Sequence, residues 1–476
     1  MLSKDKVEEN VEKRADGESR MSYVQDETAV PTVEPDGSSF SYWKDRLRDL
    51  LKRGFVRNVM ATFTTRVILI VVGLVTTVMV ARILGPTGRG LYAVATAIGL
   101  IGVQFGCLGM NASNIYIVSK KRSDLPRLVG NSLMVSLAVG IAAIGATYVA
   151  FGIWPRMAPL HGWLLLLGLL WTPIGTAYLL TQNLLLGVDE VKTYNLTETA
   201  NRVLALIVIG CLVLTHRISP TLAFAAGLIS MAAMLGVIVA RLMRISGEWP
   251  RPSMALFRSN LSYGMRAYLM NFFCYLVIRS DVLMLKYMRG ALDSGLYSIA
   301  FTMSDYVGIL PVLIGLLLLP KISAIEDVIE KYRMMKKATI GAVLIQGPVV
   351  LISAALAPWA VELLFGKAYA LSVPAYLWLC PGAIFLTIHV VAVQFLNGIG
   401  FPMSVVWIWL GTVVLKISLN LWLIPFYGLR GAAMASSACY VVACVLVLMV
   451  IRREVRRVSS ARAKGIVTEE AISSEV

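Results

Sequence analysis

Apolar runs of about 20 residues or more recur along this chain, separated by short polar breaks. About twelve stand out, at residues 59–84, 90–118, 128–152, 162–186, 193–215, 221–243, 264–288, 295–320, 338–364, 374–397, 403–427 and 431–451. Each is long enough to cross a hydrocarbon layer of about 30 Å as a helix. The pattern predicts an all-α polytopic membrane protein of about twelve transmembrane helices. The first forty residues are polar, so no cleavable signal peptide is expected and the first span itself directs insertion.

An internal repeat organises these spans. GLYAVA at residues 90–95 opens the second run and GLYSIA at 295–300 opens the eighth, each after a short turn. Two pseudo-symmetric six-helix bundles follow, residues 58–244 and 262–454, joined by a linker at 245–261 that contains SGEWPRPSMALFRSN. An even number of spans in each half makes both enter from the same side, which relates them by an axis along the membrane normal. Transporters built on this plan bind substrate between the halves. Prolines at 173, 311, 348 and 381 can kink their spans, and Gln182, Asn183, Asn201, Asn271, Gln346, Gln394 and Asn397 can bond across helices or border a hydrated path.

Composition agrees with this reading. The chain is 57% hydrophobic and 15% charged, with a mean hydropathy of +0.73. Its net charge of +16 comes largely from Lys and Arg clustered in alternate loops and beyond the last span, among them Lys120, Lys121, Arg122, Lys336, Lys337, Arg452, Arg453, Arg456 and Arg457. This is a topology signal that places both termini in the cytoplasm, with contact to anionic membrane lipids, and it leaves no need for a nucleic-acid partner. Residues 1–39 are acidic and poor in large apolar side chains, as in a disordered cytoplasmic tail. Residues 40–57 place Phe40, Trp43, Leu47, Leu50 and Leu51 at helical spacing against Lys and Arg, as in an interfacial helix, and 455–476 form a second cytoplasmic tail. All six cysteines lie in apolar runs and read as packing residues; the three histidines lack metal-ligand spacing. There is no phosphate-binding loop and no zinc-protease motif, so neither an enzyme nor a metal cofactor is expected.

The chemistry lies in charges inside the apolar runs. Arg66, Glu198, Arg202, Arg279, Asp281, Asp305 and Lys416 each sit where a charge costs about 2.5 to 3.5 kcal/mol or more unless it meets a partner or water. Arg279 and Asp281 point to opposite faces of one helix, so each needs something outside it, whereas Glu198 and Arg202 stand at the spacing of an intrahelical pair. Arg66 can reach an edge by snorkelling. His389, alone in mid-span, reads as a packing residue. Taken as a set the seven form a mildly cationic lumen suited to an anionic head group, with an acid able to take H+ or Na+ as the coupling ion.

ARILGPTGRGLYAVATAI at 81–98 and VIRSDVLMLKYMRGALDSGLYSIA at 277–300 resemble the polysaccharide-biosynthesis transporters, the Wzx-type oligosaccharide flippases of the multidrug/oligosaccharidyl-lipid/polysaccharide exporter superfamily. The likeness extends over the whole membrane region in span number and half-size. It implies a flippase that carries a polyprenyl-pyrophosphate-linked oligosaccharide across a bacterial inner membrane for O-antigen, capsule or exopolysaccharide assembly, by alternating access. By the same resemblance Arg279 and Arg66 contact the head group, Asp281 or Asp305 positions it or couples to an ion, and a polysaccharide polymerase and chain-length proteins are partners. The acidic tail departs from the family pattern. The alternative within the superfamily is an ion-coupled multidrug or cation antiporter, which calls for a more acidic lumen. The loop VSKKRSDLPR lacks the signature of a sugar/proton symporter, and the short outer loops disfavour a glycan polymerase or ligase.

Overall fold

The structure is a computed structural model that describes residues 54–154, 158–400 and 402–463. The chain divides into a short unit, Met1–Ala61, of which only the helical residues 54–61 are described, and the body Thr62–Val476. The expected tail 1–39 and residues 40–53 of the expected interfacial helix lie outside the described residues. The described residues form helices: α1 Gly54–Gly106, α2 Met110–Lys120, α3 Leu125–Ile153, α4 Gly162–Gly187, α5 Val191–Leu214, α6 Pro220–Ser246, α7 Met254–Arg289, α8 Ala291–Val307, α9 Ile309–Ser323, α10 Val328–Leu364, α11 Ser372–Asn397, α12 Met403–Tyr427 and α13 Leu429–Ala463. No strand occurs among them.

Among the described residues ten helices are long and apolar enough to cross a membrane, or eleven when the bent pair α8 and α9 counts as one span. The expectation of about twelve differs because α1 holds the first two apolar runs. Its continuity is broken at Gly85, whose φ of 65° and ψ of 176° only glycine adopts readily, and Pro86 starts the second segment. The second run is broken again at Leu108 (φ 46°) and Gly109 (φ 76°), where α1 gives way to α2. At the far end α13 continues to Ala463, so the expected tail from 455 is helical for its first turns.

The repeat is visible in the backbone. A shift of 205 positions carries Gly85 onto Gly290, which has φ 99° and ψ −177°, the same glycine-only region. It also carries Gly90 onto Gly295 and Pro86 onto Ala291. These four residues form a reciprocal contact: a Cβ on Gly90 would collide with the Ala291 carbonyl, and one on Gly295 with the Pro86 carbonyl. The largest apolar cluster runs across this seam, joining Ala81, Val94 and Phe224 to Tyr297, Ala300, Phe365 and Tyr369. Polar latches reinforce it. Tyr369 donates to the Ala81 carbonyl at 2.8 Å, and Arg82 caps the end of α10 through the Leu363 and Leu364 carbonyls.

A second contact between the N-terminal and C-terminal sequence halves lies at the opposite ends of α1 and α7. The backbones of Gly109 and Gly264 touch, Tyr268 donates to the Phe105 carbonyl at 2.9 Å, and Asn260 bonds Asn114 at 2.6 Å and also Ser113. The linker is strapped down: Asn131 accepts from Ser253 N–H at 2.7 Å and donates to its carbonyl at 3.0 Å.

Between α8 and α9 the chain bends by 41°. Pro311 has no N–H for the carbonyl of Val307, and Gln346 of α10 supplies the missing donor at 2.9 Å. The other expected kinks do not appear as breaks: Pro173, Pro348 and Pro381 sit inside continuous helices, and Gly140 leaves room for the Pro173 ring. Five of the six cysteines are buried or partly buried and Cys211 is exposed; all are free. His389 is buried edge-on to Trp409, as a packing residue.

Candidate functional site

The seven intramembrane charges fall into three groups. Asp281 and Lys416 form the most buried one, with side-chain exposures of 1% and 0%. Lys416 Nζ lies 2.7 Å from Asp281 Oδ1 and 2.9 Å from Oδ2. Asn420 donates to Oδ1 at 2.7 Å, while Ser436 at 2.7 Å and Tyr297 at 2.5 Å donate to Oδ2. Four helices, α7, α8, α12 and α13, thereby close on one carboxylate. The helical period explains the set: Lys416 and Asn420 stand one turn apart on α12, Ser436 lies on its packing partner α13, and Tyr297 lies on α8, which packs against α7. Two charges sealed from water are tolerable only because every lone pair finds a donor. This corrects the expectation that Asp281 and Lys416 face a common lumen. They fasten the C-terminal helices together.

Arg279, two residues before Asp281, turns the other way. Its guanidinium bonds Asp305 at 3.2 Å, lies 4.7 Å above the Phe301 ring and is 29% exposed; Asp305 is 47% exposed. The expectation that Arg279 and Asp281 each find a partner outside their own helix holds, with two different partners. In the N-terminal half, Arg66 bonds Glu198 at 3.1 Å, with exposures of 45% and 18%. Glu198 thus pairs across helices and not with Arg202 one turn on, and Arg66 is tied to that acid instead of snorkelling to an edge. Arg202 is exposed and forms no ion pair among the described residues.

Arg202 and the C-terminal residues meet over Gly73. A Cβ there would lie 3.9 Å from the Arg202 guanidinium and 3.5 Å from the Tyr306 hydroxyl, so α1, α5 and α8 converge at this point. Tyr306 is next in sequence to Asp305, which joins the Arg279 pair to the same region. Arg202 lies roughly 18 Å along α5 from Leu214 and Arg279 roughly 15 Å along α7 from Arg289, near the middle of a layer about 30 Å thick. Exposed arginine at that depth is incompatible with hydrocarbon.

Arg89 and Tyr306 were not singled out by sequence. Arg89 stands in the turn motif GPTGRGLY, where the glycines attract attention, yet its side chain is 8% exposed and rests against Tyr92 at 5.3 Å. A charge bordering the start of an apolar run was the available signal. Outside the spans, Glu190 stands at the N-cap position of α5 and accepts from the side chains of Thr193 at 2.5 Å and Arg241 at 2.7 Å. The Thr193 hydrogen bond and the Arg241 guanidinium hold its carboxyl below the usual range. No group of three or more potential metal ligands occurs among the described residues.

Comparison with known proteins bears on this arrangement. A family model described as "polysaccharide biosynthesis protein" matches residues 55–326. No curated protein matches the chain. Among solved structures, an inward-facing multidrug resistance MATE family transporter of the MOP superfamily aligns at a TM-score of 0.68 and 16% identity, covering 83% of this chain and 96% of that one. The lipid II flippase MurJ, in an inward closed conformation, aligns at 0.66 and 14% identity over 83% and 87%. A MOP superfamily transporter from Pyrococcus furiosus aligns at 0.57 and 16% identity over 84% and 95%. At such identities these likenesses establish the fold.

Proposed function

The chain belongs to the polysaccharide biosynthesis protein family, a family of membrane transporters, and from that premise we propose that it is a flippase for a polyprenyl-pyrophosphate-linked oligosaccharide. The observation that carries this reading is the mid-depth placement of an exposed Arg202 beside Tyr306 and a partly exposed Arg279 paired with the adjacent Asp305, one arginine from each sequence half. A forked guanidinium on each side suits the two phosphates of a diphosphate head group, while the polyprenyl chain stays in the bilayer. We place Arg66 and Asp305 along the same substrate path, with Asp305 open to H+ or Na+ once a bound diphosphate draws Arg279 away from it. The chain then works in a bacterial cytoplasmic membrane with both termini inside, handing its product to a polymerase and to chain-length proteins.

An ion-coupled cation antiporter needs free acids. Here Glu198 and Asp305 are each engaged by an arginine, which favours an anionic substrate. The test is a strain lacking this chain. Lipid-linked oligosaccharide should accumulate in the cytoplasmic leaflet and reach the outer face again when the native chain is restored. Unimpaired export together with altered sensitivity to cationic drugs would overturn the reading in favour of the antiporter.

A further inference from the structure

Arg89 is a charge that the surrounding protein does not neutralise. Its guanidinium makes no hydrogen bond or ion pair with any described residue, and its buried Nε donates to nothing. Its electrostatic neighbours are the phenols of Tyr92, Tyr369 and Tyr306, neutral groups that carry no counter-charge, and the Tyr369 hydroxyl donates to the Ala81 carbonyl. Stacking on Tyr92 offsets only part of the cost of taking a guanidinium out of water.

The repeat shows that fold alone does not require arginine here. The shift of 205 positions carries Arg89 onto Ser294, which is fully buried and bonds the carbonyls of Val282 and Gly290 at 3.2 and 3.1 Å. One copy of the turn is thus completed by a small, satisfied hydroxyl. The other, in the same reciprocal packing of Gly90 and Gly295, carries an unneutralised cation.

We propose that Arg89, with Tyr92 against it, forms an anion subsite in the seam between α1 and α8 that takes a phosphate group of the translocated substrate when the two repeats close. The proposal rests on the flippase reading and deepens it. The fork of guanidinium donors suits two oxygens of one phosphate, and the aromatic surroundings keep competing water away. Closure of the seam in an empty protein leaves the charge unmatched, whereas a bound phosphate removes that cost, so the ligand itself favours the closed end.

The experiment measures thermal unfolding of the full chain in phosphatidylcholine nanodiscs, with inorganic pyrophosphate and, separately, with a polyprenyl diphosphate in the bilayer. The native protein should unfold at higher temperature with ligand. Arg89→Gln should show an equal or higher midpoint without ligand and at least a tenfold loss of apparent affinity. Arg89→Lys decides the matter should the glutamine variant not fold: a native midpoint with weakened response supports the subsite, and an unaltered response overturns it. Response to soluble pyrophosphate identifies phosphate itself as sufficient, and response to the polyprenyl form alone identifies the lipid head group. A lower ligand-free midpoint in Arg89→Gln with intact ligand response assigns a structural role and refutes the subsite. Loss of response in Arg279→Gln but not in Arg89→Gln leaves the flippase reading standing and removes Arg89, while no response in the native protein to either probe removes both.

Discussion

The buried pair Asp281–Lys416 makes a prediction opposite to that of a substrate-path charge. Replacing Asp281 by Asn leaves the Lys416 ammonium sealed at 0% exposure with no counter-charge, although Ser436 still accepts from it. Breaking such a pair costs about 3–5 kcal/mol, and this substitution belongs at the upper end. Lys416→Met is milder, because the Asp281 carboxylate keeps donors from Tyr297, Ser436 and Asn420. The double variant, Asp281→Asn with Lys416→Met, removes both charges and should recover at least about 2 kcal/mol relative to the sum of the singles. Reversible unfolding of the four proteins in bicelles closes the cycle, with export measured in parallel. Export should fall in the singles in proportion to the folded protein remaining and return in the double. A coupling energy near zero, or export abolished in the double variant at native abundance, would falsify the structural assignment and return both residues to the transport path.

Other parts of the structure make further predictions. Arg279→Gln should abolish translocation in a vesicle assay while changing unfolding free energy by less than about 1 kcal/mol, since the pair with Asp305 is partly solvated. Gly90→Ala or Gly295→Ala places a methyl against a carbonyl of the facing repeat and should cost about 1–3 kcal/mol in unfolding, with a faster reaction of cysteines introduced along the seam. Gln346→Leu strands the Val307 carbonyl at the bend and should cost about 1–3 kcal/mol, seen as faster amide exchange around residues 307–311. The lowered Glu190 value stabilises the fold fully above the ordinary carboxylate pKa of about 4.3, and this contribution is lost as pH falls through the lower folded value. Glu190→Gln should therefore lower stability at neutral pH by that contribution, match the native protein at low pH, and so flatten the acid limb of a stability profile.

Much of the fold was legible because a membrane allows few solutions. Every apolar run is helical apart from short breaks such as those at 107–109 and 308, and the hexapeptide repeat marked residues that the backbone pairs across the seam. The span boundaries were less legible because hydropathy does not register backbone dihedrals. Gly85 interrupts α1 without interrupting its apolar character, and Leu108 and Gly109 break the second run where composition shows only a small residue beside a leucine. The bend at 307–311 was announced by Pro311, but its stabilisation comes from Gln346 on another helix, a contact that sequence spacing does not encode.

The site was legible as a set of charges and not as a division of labour. Arg279 and Asp281 are two residues apart in equally apolar surroundings, so hydropathy gives them the same status. The helical turn sends Asp281 into a closed cage and Arg279 toward partly solvated partners. The distinction depends on what the facing helices present: Lys416, Asn420 and Ser436 supply one cation and two further donors on one side, while Asp305 beside Tyr306 supplies a solvated acid on the other. The same reasoning separates Glu198 from Arg202. Spacing offers them as a pair, but Arg66 reaches the acid from α1 and leaves Arg202 exposed at mid-depth. What a charge does inside this bundle therefore depends on whether its partners account for it completely. Asp281 and Lys416 are accounted for by each other and by the donors around the carboxylate, whereas Arg202, Arg279 and Arg89 retain donor capacity, which is why the proposed reading assigns the anion to them.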